Sequence, residues 1–209
     1  MAAAANRPSK CAPQAGRPAI RSPLAVCLFV AVAAAGAAGD LLTKHHVFRN
    51  ALSDPSLPQR VEEILAHYGR QTSGREVLQR LGIRQPVGLG VQLTLSTNPG
   101  VVFGLSMPPW LVAAATIVTI VLVAYFFAGS PARAYLGHVG LACILGGALG
   151  NFYDRLFGRV ELPGAEPIRG HVRDFIDCSA WHYPWVFNVA DVLLVAGAAA
   201  LLLHMLLHR

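Results

Sequence analysis

The sequence predicts an all-α integral membrane protein: four transmembrane helices, with a small extracytoplasmic β-element and short amphipathic helices beside them. Three observations predict it. The 209 residues are 54% hydrophobic and 13% charged, with a mean hydropathy of +0.48, too apolar for an ordinary soluble domain. Four apolar stretches each approach the roughly 20 residues that a helix needs to cross a bilayer. Outside them, "GVQLTLST" sets Val91, Leu93 and Leu95 against Gln92, Thr94 and Ser96, the alternation of a half-exposed strand.

The remaining composition excludes other classes. The net charge of +6 is spread over loops, and no basic cluster with interleaved aromatics suggests a nucleic-acid surface. Cys11, Cys27, Cys143 and Cys178 form no CxxC pattern, and the histidines, His45-His46 included, form no HExxH. Free or packed thiols are expected, and these spacings give a metal site little support.

Taken in order, residues 1–22 are rich in Ala, Pro and Arg and are expected to be a disordered cytoplasmic N-terminus; residues 23–209 form one membrane domain. The first span is expected over 23–42, apolar except for Asp40, which stands at its end. Its basic start, apolar run and small-residue end also describe a cleavable secretory signal; three further spans make a retained helix the expectation. The others are expected over 110–129, 134–153 and 185–207, with Asp191 the only formal charge in the last. Arg7, Lys10, Arg17 and Arg21 precede any acid, which argues for cytoplasmic termini and for loops 43–109 and 154–184 outside.

In the first loop, Val61, Ile64, Leu65 and Tyr68 recur at helical spacing, and Val77, Leu78 and Leu81 mark a second short helix. These helices can lie on the bilayer or pack on the protein. "NPG" at 98–100 is a turn signal, and "HVRDFI" reads as a short strand or turn.

Asp191 is the residue that demands an explanation. A helix begun at Trp185 places it nearly two turns deep, about 9 Å along the axis. A charged carboxylate costs roughly 2.5–3.5 kcal/mol at the centre of a span. The structural reading is a carboxyl hydrogen-bonded to a neighbouring helix. The chemical reading pairs it with Asp174, 17 residues earlier and able to fold back. Two carboxyls a few ångströms apart cannot both ionise comfortably, so one keeps a proton while the other can take one from water. Asn188 stands one turn before Asp191.

"GGALGNFYDRLFG" adds Asn151 and Asp154 at i, i+3, followed by Arg155. Gly146, Gly147 and Gly150 would let helices approach closely. Asp154 and Arg155 read either as an interfacial ion pair or as part of the chemistry. Asp40 reads as a helix-end residue and Asn98 as a turn residue, or both as pocket lining. In this topology Asp40, Asn98, Asn151, Asp154, Asp174, Asn188 and Asp191 all fall at the outer face, which points to a polar site opening there.

These blocks resemble a known family. "GDLLTK", "NPGVVFG", "GGALGNFYDRL", "VRDFID" and "FNVAD" are similar, in order, to the motifs of bacterial lipoprotein signal peptidase, or signal peptidase II. The resemblance implies an intramembrane aspartyl endopeptidase of the bacterial cytoplasmic membrane. It would cut the signal peptide from diacylglyceryl-modified prolipoproteins, just before the lipidated cysteine. Asp174 and Asp191 would be its catalytic pair, with Asp40, Asn98, Asn151, Asp154, Arg155 and Asn188 in support or at the substrate. It implies no cofactor, inhibition by the cyclic peptide globomycin, membrane lipids as neighbours and a monomer. Two segments, about 45–88 and 157–170, are longer than the family pattern. The competing readings are a small transporter or proton relay, which predicts ionisable groups through the depth of the bilayer, and an inactive scaffold, which predicts loss of one aspartate.

Overall fold

In the computed structural model, residues 17–102 and 105–208 are described. Residues 1–16 of the expected disordered tail lie outside them, as do Phe103 and Gly104 of "NPGVVFG". Residues 17–22 depart from that expectation. Ala19–Arg21 form a 3-10 turn with Ala19 fully buried, and hydrogen bonds from Ala19 N to Ser130 O (2.8 Å) and from Ala132 N to Arg17 O (2.9 Å) pin it to the 130–132 turn.

Ser22 starts α1 by accepting from Ala25 N at 3.4 Å, with Pro23 in the first turn where its missing N–H costs nothing. The helix then runs Pro23–Leu52, 30 residues. That is about 45 Å, against a hydrocarbon core of about 30 Å. The first helix therefore does not end near Leu42, and Asp40 is an interior residue of it. The surplus turns carry Phe48 and Ala51 into a core outside the span.

That core settles the two amphipathic segments. Helix α2 (Leu57–Tyr68) ends at Gly69, at φ 97°; α3 (Gly74–Leu81) is capped by Ser73 and ends at the left-handed Gly82. Val61, Leu65, Val77, Leu78 and Leu81 are buried with Leu95, Val160, Leu162, Ile168 and Phe175, so the apolar faces pack on the protein and not on lipid. The second long segment joins the same core. It holds a hairpin of β5 (Arg159–Val160) and β6 (Ile168–Arg169), and a Cβ added to Gly74 would collide with the Glu166 carbonyl.

The β-element is a four-stranded antiparallel sheet of β1 (Arg84–Gly88), β2 (Val91–Asn98), β7 (Val172–Asp177) and β8 (Val186–Phe187), in the order β1-β2-β7-β8. A two-residue hairpin, β3 (Val101–Val102) with β4 (Leu105–Ser106), leads to the second long helix. The register of β2 on β7 shifts between Leu93↔Ile176 and Ser96↔Asp174, a bulge beside Asp174.

Among the described residues, four helices are long and apolar enough to cross a membrane: α1, α4 (Pro109–Gly129), α5 (Tyr135–Phe157) and α6 (Val189–Leu207). Helix α5 packs on the other three. Its glycines permit this closeness: a Cβ on Gly147 would stand 2.5 Å from the Ala190 carbonyl oxygen. Helix α6 begins at Val189, four residues later than expected, because Val186–Phe187 join the sheet.

Candidate active site

The late start of α6 changes what Asp191 is. Asn188 is the N-cap: its Oδ1 accepts from Asp191 N (3.1 Å), while Asp191 Oδ2 accepts from Asn188 N (3.2 Å), a reciprocal capping box. Asp191 thus lies in the first turn, at the positive end of the helix dipole, and not two turns into the span. Its carboxylate is far less costly there than the sequence reading assumed. Asn188 is at once a helix cap and a support of the carboxyl pair.

Asp174 comes from β7, 4% exposed, and its Oδ1 accepts from Asn188 Nδ2 at 2.6 Å. One buried asparagine therefore touches both carboxyls. Asn151, from α5, donates Nδ2 to Asp191 Oδ1 (2.9 Å), and its Oδ1 accepts from Asn188 Nδ2 (3.1 Å). Burial and the neighbouring Asp191 charge push the Asp174 carboxyl up to about 7, while Asn188, Lys44 and Arg155 pull the other way. Asp177, the other carboxyl of this segment, is also buried. Hydrogen bonds from Ser179 N, the Ser179 hydroxyl and Gln92 nonetheless draw it below the ordinary range, and it serves a turn.

A cleft of about 500 Å³ opens on the pair. Asn98, Asn151, Arg155, Asp174 and Asp191 line it, with Thr116 and Thr119 of α4 along one wall and Tyr183 and Trp185 at the rim. Asn98 satisfies both of its readings: its Oδ1 accepts from Gly100 N (2.9 Å) to form the turn, and it lines the cleft.

Asp40 and Asp154 lie behind this surface, fully buried. Asp40 Oδ1 accepts from Ala190 N at 2.8 Å, tying the middle of α1 to the start of α6. Of the two readings of Asp154 and Arg155, the ion pair between them does not form. Asp154 Oδ1 accepts from Arg173 Nε (3.0 Å) and Nη2 (2.6 Å), and Arg155 instead donates to the Asn151 carbonyl (3.2 Å) and faces the cleft. Lys44 was missed as a site residue. It is fully buried, with Nζ 2.6 Å from Asp40 Oδ2, 3.2 Å from Asp154 Oδ2 and 2.9 Å from Asn151 Oδ1. Its signal was available: a lysine four residues after an aspartate, at the end of an apolar run. The Arg173 clamp on Asp154 had no such signal, since it joins two elements 19 residues apart.

Fold and site together define a class: a multi-pass membrane protein with a carboxyl pair in a cleft at the sheet-bearing end of its helix bundle. Its four-helix fold resembles two solved bacterial membrane enzymes, determined in meso at 2.3 and 1.9 Å. The TM-scores are 0.58 and 0.59 at 23% and 22% identity, over 87% of this chain and 88% and 94% of theirs. The model of the family signal peptidase (SPase) II matches residues 32–207, and the chain belongs to that family. Among its relatives, the lipoprotein signal peptidase of Desulfitobacterium hafniense is 38% identical over 117 residues, 55% of this chain and 68% of that protein. That of Mycobacterium avium is 40% identical over 116 residues, 55% and 58% of the two chains. That of Mycobacterium tuberculosis is 38% identical over 130 residues, 60% and 59%. Membership makes the chain a protease.

Proposed function

We propose that the chain is an aspartyl endopeptidase that removes signal peptides from diacylglyceryl-modified prolipoproteins, cutting before the lipidated cysteine, with Asp174 and Asp191 as its catalytic pair. The observation that carries this is the shared asparagine: Asn188 holds two carboxyls from different elements at the wall of one cleft. Asp174, pushed up to about 7, holds a proton near neutral pH, and Asp191, at a helix N-terminus, is the anionic partner.

The reaction follows from that division. Asp191 takes a proton from water as its oxygen bonds to the scissile carbonyl carbon, and Asp174 gives its proton to the carbonyl oxygen. When the tetrahedral intermediate collapses, Asp191 gives its proton to the leaving amine. The new hydroxyl returns one to Asp174, and the C–N bond breaks with the pair restored. Asn98 and Arg155 face the space where the peptide would lie. In this reading the sheet-bearing end faces outward from the bacterial cytoplasmic membrane, and an even number of spans keeps both termini cytoplasmic.

A proton relay is less well supported. Between the level of Asn151 and that of His138, residues 139–150 of α5 carry no titratable side chain except Cys143, over about 18 Å.

The test is cleavage of a purified diacylglyceryl-modified prolipoprotein by the protein in lipid. Asp174→Asn and Asp191→Asn should each abolish cleavage while melting cooperatively. Wild-type turnover by either variant would refute the assignment.

A further inference from the structure

We propose that Lys44 is a positioning residue that sends the shared proton to Asp174 by fixing which way the Asn151 amide points. The inference rests on the reading of Asp174 and Asp191 as one coupled pair.

An ammonium group has three donors and no acceptor. Lys44 Nζ faces three oxygens: Asp40 Oδ2, Asp154 Oδ2 and Asn151 Oδ1. With no exposure to solvent, it has nothing else to donate to. The surrounding charges balance. Asp40 and Asp154 are met by Lys44 and by Arg173, which clasps Asp154 from β7. Ala190 N and Arg173 N complete the partners of the two carboxylates.

Asparagine can usually swap its oxygen and nitrogen at little cost to shape. Here it cannot. Turning the Asn151 NH2 toward Lys44 would set donor against donor in a buried site. The oxygen must face Lys44, so Nδ2 must face Asp191. Asn188 is fixed in the same way, because its oxygen is held by Asp191 N at the helix cap. Asp191 therefore receives a donor on each oxygen, Asn151 Nδ2 on Oδ1 and Asn188 N on Oδ2. Asp174 receives one side-chain donor, on Oδ1, which leaves Oδ2 to carry hydrogen. Arg155, from α5, lines the cleft with both carboxyls, and His171 meets the Thr97 hydroxyl at 3.3 Å.

Without the ammonium, the Asn151 oxygen keeps one donor, Asn188 Nδ2 at 3.1 Å, and the charged donor that most strongly opposes the flipped amide is gone. In the flipped amide the oxygen faces Asp191, which rewards a proton there. Removing a nearby cation also makes both carboxyls harder to ionise.

The experiment uses the full chain in lipid. Asp40→Asn/Lys44→Met removes the cation together with one anion and keeps an acceptor for Ala190 N, so the fold survives; Lys44→Arg keeps a donor-only cation. Cooperative melting selects the variants to be read. The first readout is the infrared carbonyl band of protonated carboxyl at about pH 6, which needs no turnover. In the parent and in Lys44→Arg, Asp174→Asn removes that band and Asp191→Asn does not; in the double variant, Asp191→Asn removes part or all of it. The second readout is cleavage. The double variant loses about 10²-fold in kcat, the scale of general acid–base catalysis, with KM within about twofold and the acidic limb of the pH profile displaced upward, because Asp191 loses the Asn151 donor. An unchanged band assignment or an unchanged acidic limb in a folded double variant overturns the positioning role. Full cleavage by Asp174→Asn or Asp191→Asn instead refutes the peptidase pair, and the infrared pattern still decides what Lys44 does.

Discussion

Two clefts open between α4 and α6, one at each end of α5, and their sizes run opposite to their chemistry. The cleft at the sheet-bearing end measures about 500 Å³ and holds two carboxyls, two asparagines and a guanidinium. The cleft at the other end measures about 990 Å³ and is walled by Tyr125, Phe126, Leu141, Leu201 and Met205, with His138 and His204 its imidazoles. In the small cleft Asn151, Asn188 and Asp191 bond one another through geometries that permit one orientation of each amide. In the large one, Nδ1 of both histidines is buried with no hydrogen-bond partner among the described residues. A cavity becomes a site when its polar atoms are held by other polar atoms, because only then is a proton or a lone pair aimed.

The sharpest way to break this contrast is to remove the asparagine shared by the pair. Asn188→Ala takes away the cap of α6 and the donors to Asp174 and Asn151 in one step. Loss of the cap costs about 1–2 kcal/mol, which thermal or denaturant melting measures. The larger consequence is for turnover, expected to fall at least 10²-fold because the pair loses its common anchor. A drop in activity no larger than the drop in folded fraction would reduce Asn188 to a cap.

A smaller effect comes from pH. The Asp174 carboxyl is pushed up to about 7 from 3.8. Below 3.8 it is protonated in folded and unfolded chains alike. Between 3.8 and 7 the unfolded chain releases its proton while the folded site keeps it, so rising pH disfavours the fold, and the full penalty is present above 7. Replacing the acid by its amide removes that penalty, worth at most about 4 kcal/mol. Asp174→Asn should therefore melt higher than the parent at pH 8, and the gap should close by about pH 4. Cleavage by the parent should decline about tenfold per pH unit above 7, as the general acid is lost. Equal melting of the two proteins at pH 8 would mean that Asp174 is not held protonated.

Much of this was legible beforehand, and what was not has a physical reason. Spans show in composition because lipid demands unbroken apolar runs. The strand at 91–98 shows because a half-buried sheet alternates. The start of α6 did not show, since "WVF" is as apolar as the helix that follows and only sheet pairing distinguishes it. Asp191 consequently read as a costly interior charge, when it is a capping-box residue. The pair of aspartates was legible as residues, and so were Asn151 and Asn188. The ion cluster behind them was not, because Asp154 chooses Arg173 over its neighbour Arg155 through the fold of β7 against α5. The two long segments looked separate, 45–88 and 157–170. Their shared core joins residues such as Leu65 and Leu162 that no local pattern connects.

The smallest expected effect tests the far cleft. Ser130 donates its hydroxyl to Phe127 O (2.8 Å), so its oxygen is left to accept from His138 Nε2 (3.0 Å). That puts a proton on His138 Nε2 and leaves Nδ1 with no hydrogen-bond partner among the described residues. Phe127 meets the ring edge-on at 5.2 Å. A leucine of similar bulk gives up one hydrogen bond and removes an unpartnered ring nitrogen, terms of about 1 kcal/mol each and of opposite sign. His138→Leu should therefore shift stability by less than about 1.5 kcal/mol. Cleavage should stay within about twofold of the parent, since no titratable chain links this end to Asp174. A tenfold loss of turnover in a protein that still melts normally would join the two clefts into one pathway and revive the relay reading.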